Sequence, residues 1–204
     1  MPAQALSLDK AQEDALQELC NIGMGHATSA LAQLMGKTIY FDIPKVNLVQ
    51  ISRVPEVIGN AEQTVVGIYL RFSGPISGNI LLVFPKKSVL LLKQIITGDN
   101  SRKLVFDEYH TSLLKEVGNI VAGAYLSVME NLLKMQLVQS VPWFAFDLAS
   151  AIIDPILVQL GKDSDHTVVI EAEFFVREED KLKGKFYLLP DTSSVKMILN
   201  AVGL

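Results

Sequence analysis

Cysteine is almost missing from this chain of 204 residues: Cys20 stands alone, so no internal disulfide can form. Histidine is nearly as scarce, with His26, His110 and His166 scattered along the sequence. No Cys/His cluster suggests a zinc framework, and the expected compartment is a reducing one, the cytoplasm. Positive charge is neither abundant nor gathered; 18 lysines and arginines stand against 22 acidic residues, a formal net charge of −4. That balance argues against a nucleic-acid partner or an anionic membrane surface, both of which require concentrated positive charge. Met1 to Asp9 has neither a basic start nor an apolar run, so no secretory signal is expected. The longest charge-free stretch, Leu19 to Gly36, has roughly the length of a membrane span. It carries Asn21, His26, Thr28, Ser29 and Gln33, and therefore reads as a helix of a water-soluble domain without membrane insertion.

What is present is apolar residues, half of the chain, enough to bury a sizeable core without covalent staples. From Ser7 to Met35 they recur at helical spacing, with Leu16, Leu19, Cys20, Gly23, Ala27, Ala30, Leu31 and Leu34 on one stripe. β-Branched and aromatic runs follow at 38–41, 46–49, 64–72 and 79–84, and Pro85 precedes a shorter helical pattern from Lys86 to Thr97. The order then begins again. A long helical pattern runs from Asp107 to Lys134, strand-like segments occupy 136–141, 168–176 and 185–189, and Pro190 opens a last helix reaching Val202. The expectation is an α/β (α+β) fold in one domain spanning 1–204, with internal repeats at about 7–98 and 104–204. Asn21 and Asn119 are offset by 98 and Pro85 and Pro190 by 105, so the second copy carries extra residues, placed here in Trp143 to Asp165.

Asp14, Glu18 and Asn21 stand at i, i+4 and i+7, which at about 100° per residue holds them within roughly 60° of one another. Ser112, Glu116 and Asn119 repeat that spacing. In both helices this polar ridge lies opposite the apolar stripe and should face solvent. Each asparagine is followed, after 22 intervening residues, by a proline: Pro44 and Pro142. A single ridge of this kind is most often a solvated helix face; its repetition together with the distant proline favours a functional motif. The four glycines Gly23, Gly25, Gly118 and Gly123 each weaken a helix by about 1 kcal/mol, and close packing of a neighbouring element is the expected compensation. No residue set suggests a nucleophile.

At these residues the sequence resembles the CheC, CheX and FliY phosphatases of bacterial chemotaxis, whose motif is Asp or Ser, then Glu, then Asn, then Pro at this spacing, and it is most similar to the CheC branch. The words 116–120 and 19–27 are similar to the family's Glu-Ile-Gly-Asn-Ile-Gly helix, with Cys20 where glycine is common. The resemblance implies a duplicated CheC-like fold with two long motif-bearing helices packed on β-sheet about a pseudo-two-fold axis. It further implies a hydrolase acting on the aspartyl phosphate of a CheY-type response regulator. In that activity Asn21 and Asn119 would position the attacking water, and Glu18 and Glu116 would dock against the regulator's lysine. Asp14, Ser112, Pro44 and Pro142 would support the motif. The chain would need no cofactor of its own, Mg²⁺ being supplied on the phosphorylated partner. The resemblance leaves open a non-catalytic module regulating the receptor deamidase CheD, to which the apolar segment Trp143 to Ala151 around Asp147 would contribute, and a flagellar-switch scaffold. Read without the resemblance, Asp147 is equally a cap or turn residue of a core segment.

Overall fold

A computed structural model describes residues 7–59, 61–101, 103–104, 106–162, 164–176 and 182–204. Most of the N-terminal stretch on which the expectation about a secretory signal rests lies outside the described residues. The first long helix, α1, covers Lys10–Met35. Asp9 caps it by accepting from the Gln12 amide while the Gln12 side chain reaches back to the Asp9 amide, and Gly36 ends it with φ of 61°. The second, α4, covers Glu108–Leu133, with Asp107 accepting from the His110 amide and Lys134 in the left-handed conformation at its end. Caps and lengths thus repeat at the same offset of 98 as the motif residues. Between them lie β1 (Tyr40–Phe41), β2 (Lys45–Gln50), a 3-10 turn at Ile51–Arg53, α2 (Val54–Ile58), β3 (Thr64–Ser73), β4 (Gly78–Pro85) and α3 (Lys86–Thr97). After α4 come β5 (Val138–Gln139), β6 (Trp143–Leu148), α5 (Ala149–Leu160), β7 (His166–Phe175), β8 (Lys183–Pro190) and α6 (Thr192–Ala201).

All strands join one antiparallel sheet in the order β1-β7-β8-β4-β3-β5, with β2 extending the β1 edge on β7 and β6 extending the β5 edge on β3. The two halves are therefore interleaved: β2 of the first pairs with β7 of the second, and β6 of the second pairs with β3 of the first. The pseudo-two-fold passes between β4 and β8, where Leu81 faces Tyr187 and Leu82 faces Phe186. These central strands are buried on both faces, so their sequence shows an apolar run rather than alternation.

One sheet face, carrying Val66, Ile68, Leu70, Ile80, Leu82, Phe186 and Leu188, packs beneath α1, α4, α3 and α6. The opposite face, carrying Val65, Leu81, Val83, Val169, Tyr187 and Leu189, packs on α2 and α5. The period of two along each strand divides the two cores. Helices α2 and α5 were not expected. The first is short and starts at a proline-containing turn, and the second has Pro155 inside it, which hides the helical signal. The connection 149–165 is longer than its counterpart 51–63, and 176–182 is longer than 74–77, so the extra residues of the second copy are divided between two places rather than confined to 143–165.

Helices α1 and α4 also pack on each other. A Cβ on Gly23 would stand 2.5 Å from Cε2 of Tyr125, a ring fully buried from solvent, and the Tyr125 hydroxyl donates to the Cys20 sulfur at 3.0 Å. A Cβ on Gly118 would collide with the side chain of Ile68 on β3. The close packing expected at four glycines thus holds at two of them. Gly25 has open space around its Cβ position, and Gly123 meets only the side-chain amide of Gln139, 3.6 Å away. Leu132, near the end of α4, is exposed although the helical pattern of 107–134 is apolar on one side.

Candidate functional site

On α1 Asp14 and Glu18 are exposed and Asn21 is half-buried; on α4 Ser112 and Glu116 are exposed and Asn119 is half-buried. The gradient follows from the helix lying on the sheet. Two turns of the ridge stand clear, and the third descends toward the sheet edge. Asp14 forms an exposed ion pair with Lys10 at 2.8 Å. Asn21 has no hydrogen-bond partner for its side chain among the described residues.

The sheet edge beside each helix is shaped by the prolines. Phe41 pairs with Phe174 and Lys45 with Glu171, so the edge strand advances four residues while β7 advances three. Gln139 pairs with Phe72 and Trp143 with Tyr69, the same excess of one residue. Each is a bulge with the proline as its last residue before β2 or β6, where a missing N–H interrupts no central ladder. Within the bulges the Asp42 amide donates to the Glu173 carbonyl at 2.9 Å and the Ser140 amide to the Arg71 carbonyl at 2.8 Å. Pro44 and Pro142 therefore occupy equivalent places. The residues before them, Ile43 and Val141, project into solvent at 69% and 85% exposure.

Helix and bulge meet in both copies. In the first, the Gln17 side chain donates to the Pro44 carbonyl at 2.6 Å. In the second, an open cleft of about 470 Å³ is lined by Ser112, Lys115, Glu116 and Asn119 from α4 and by Gln139, Ser140, Val141 and Pro142 from the edge strand. All four motif residues of that copy border one space, although 22 residues intervene between Asn119 and Pro142. Lys115 and Gln139 were not singled out from the sequence. They hold the places of Gln17 and Phe41 in the first copy, and only the three-dimensional contact reveals them.

Asp147 lies elsewhere, exposed on the edge strand β6, its carboxylate accepting from the next amide, Leu148, at 2.7 Å just before α5 begins. Trp143, Phe146 and Leu148 are exposed on the same strand. Cys20 sits in the core between the two long helices. Burial pushes its thiol up to about 12, with the Tyr125 hydrogen bond offsetting part of that shift, so at neutral pH it is not a nucleophile. Among the described residues no group of three His, Cys, Asp or Glu side chains could hold a metal ion, and no helix is long and apolar enough to cross a membrane.

An internally duplicated helix-on-sheet fold with paired Glu/Asn ridges at proline bulges defines a narrow class of proteins. The chain belongs to the CheC-like family: the family model matches residues 12–48 and 110–144, two segments that each enclose one helix ridge and its proline. It is 31% identical over 200 residues, 96% of either chain, to the CheY-P phosphatase CheC of Bacillus subtilis (strain 168). Among solved structures, FliY of Thermotoga maritima superposes with a TM-score of 0.76 at 21% identity, covering 96% of this chain and 98% of that one. The chemotaxis protein CheX of Desulfovibrio desulfuricans superposes with a TM-score of 0.59 at 16% identity, covering 84% and 99%.

Proposed function

We propose that this protein hydrolyses the aspartyl phosphate of a CheY-type chemotaxis response regulator in the cytoplasm. The observation that carries the reading is the second cleft, where Glu116 and Asn119 stand beside Pro142 in a space open to a docking protein, with the same set repeated at Glu18, Asn21 and Pro44. Similarity to CheY-P phosphatase CheC over nearly the whole chain supports it. An aspartyl phosphate in a regulator brings its own Mg²⁺ and reactive groups, so hydrolysis lacks only a water held in line with phosphorus. An asparagine amide offers a donor and an acceptor to such a water and does not compete as a nucleophile. Asn21 and Asn119 take that role. Glu18 and Glu116, one turn away and exposed, form charge-assisted contacts with the regulator's lysine, and Asp14 and Ser112 contact the rim. Positioning of this kind supplies several kcal/mol, about two or three orders of magnitude in rate.

The test follows loss of phosphate from a labelled CheY-type regulator. Asn21→Ala and Asn119→Ala should each lower the rate with little change in stability, since neither side chain belongs to the apolar core. The double variant should leave only the regulator's own hydrolysis. A double variant as active as the parent protein would refute the catalytic reading.

A second reading, binding of the receptor deamidase CheD, draws on the edge strand β6, where Trp143, 52% exposed, shares a face with the exposed Asp147 and where Phe146 and Leu148 are exposed on the other face. This surface lies on the edge strand beyond Pro142, so both activities can reside in one chain. Asp147→Arg should abolish CheD capture and spare dephosphorylation; capture undiminished by that change would remove the assignment. A flagellar-switch scaffold would have no use for two exposed ridges, and their presence weighs against it.

A further inference from the structure

We infer that Gln139 is a positioning residue of the second cleft, which fixes the side-chain amide of Asn119 in the plane and orientation that hydrolysis uses. The inference rests on the phosphatase reading above and deepens it. Asn119 Oδ1 accepts from Gln139 Nε2 at 2.7 Å, and the same Nε2 lies 3.5 Å from the Asn119 backbone carbonyl oxygen. A backbone carbonyl can only accept, so the two acceptors together set Gln139 as the donor and leave Asn119 Oδ1, not Nδ2, turned toward it. One Oδ1 lone pair and both Nδ2 protons then remain for the cleft, where a water can donate to the first while a phosphoryl oxygen accepts from the second. A free asparagine would sample the opposite orientation about its last torsion almost equally.

The arrangement is supported from behind. Gly123, one turn after Asn119, leaves room for the Gln139 amide, which lies 3.6 Å from where a Cβ would be. Gln139 Oε1 is buried without a hydrogen-bond partner. An orphaned buried acceptor is destabilising, so the amide is not there for stability. The first copy makes the same point, since it places Phe41 at the equivalent register on its own edge strand, and the fold therefore accepts an apolar side chain there. Asn21 correspondingly lacks a partner of this kind.

The experiment isolates each cleft. In the Asn21→Ala background, where only the second cleft is intact, Gln139→Met keeps length and removes the donor. The regulator-dephosphorylation kcat should fall about three- to tenfold, the effect of one neutral hydrogen bond, with the half-saturating regulator concentration unchanged. In the Asn119→Ala background the same substitution should change nothing. Thermal stability of Gln139→Met should equal or exceed that of its parent, because the orphaned acceptor is gone; a purely structural role would lower it. Gln139→Phe, the first copy's residue, is the second variant and should give the same pattern. Equal effects in both backgrounds, or none in Asn21→Ala while Asn119→Ala itself is impaired, would overturn the role of Gln139 and leave the phosphatase reading standing. Full activity in the Asn21→Ala/Asn119→Ala protein would overturn that reading and this inference together.

Discussion

Alanine at Gly23 and alanine at Gly25 should move stability in opposite directions, although the glycines are two residues apart on one helix. Both substitutions gain about 1 kcal/mol of helix propensity. At Gly25 nothing lies within 4 Å of the new Cβ, so the gain is realised. At Gly23 the Cβ would come within 2.5 Å of Cε2 and 2.7 Å of Cδ2 of Tyr125, both well inside contact distance. That ring cannot swing away: it is fully buried, packs against Phe186 with centroids 4.8 Å apart, and is tethered through its hydroxyl to Cys20. Relief requires α1 and α4 to separate by roughly 1 Å, an overpacking cost of about 1–3 kcal/mol. The propensity gain cancels in the comparison, so the difference between the two variants isolates the clash. Denaturant unfolding with a common m value should place Gly23→Ala roughly 1–3 kcal/mol below Gly25→Ala, equivalent to a few degrees in Tm for a chain of this size. Equal stability of the two would refute the close approach of the long helices, and with it the rigid spacing of the two ridges.

Cys20 should resist thiol reagents in the native protein at pH 8 and react fully in denaturant; rapid stoichiometric labelling of the folded protein would refute its burial. The raised thiol value means the fold favours the neutral form, a contribution complete below the unfolded value of about 8.5 and lost as pH rises through about 12, so alkaline conditions weaken this part of the core. At the other end of the scale, the Lys93 ammonium, donating to Asp99 at 2.8 Å, holds the Asp99 carboxyl below the usual carboxylate range, with the Ser101 amide and hydroxyl adding to the shift. Its contribution is present above the unfolded value of about 3.9 and disappears as pH falls through the lower folded value. Urea unfolding of Asp99→Asn should accordingly lose less stability between pH 5 and pH 2 than the parent does, and identical pH profiles would refute the linkage. Ile43→Asp and Val141→Asp, at exposed positions in the two bulges, should raise the half-saturating regulator concentration roughly fivefold each in steady-state kinetics while leaving kcat intact, as loss of about 1 kcal/mol of docking contact requires; an unchanged concentration would place the docking face elsewhere.

The elements legible in the sequence are those whose signals are local. Both long helices were marked by a one-sided apolar stripe, and their observed ends fall at Asp9, Gly36, Asp107 and Lys134, where capping chemistry or a left-handed residue stops the helix. Helix α3 matches its expected span, with Pro85 as cap before the first turn. The apolar segment Trp143 to Ala151 holds strand β6 and only the first residues of α5, because Pro155 and the edge-strand aromatics obscure both periods. The motif spacing revealed that a proline stood at a fixed distance from each asparagine, but not the reason, which is a one-residue bulge defined by pairing with a strand of the other half. Gln139 was illegible for a related cause. Its meaning is a contact across 20 residues, and the corresponding place in the first copy holds Phe41, so comparing the repeats gave no signal.

The interleaved sheet explains how duplicated sites can diverge without coming apart. The bulge at Pro44 is registered on β7, which belongs to the second half, and the bulge at Pro142 is registered on β3, which belongs to the first. Each ridge and bulge thus takes its helix and its proline from one copy and the strand that fixes their register from the other. Neither half can lose its sheet strands without deforming the opposite bulge, so backbone geometry is held in common. Side chains facing the clefts carry no such constraint. Among the differences between the copies are Gln17 against Lys115 and Phe41 against Gln139, while the bulges, the caps and the Glu/Asn spacing coincide. A shared scaffold with independently varied side chains allows the two ridges to diverge in chemistry while their backbone geometry stays the same.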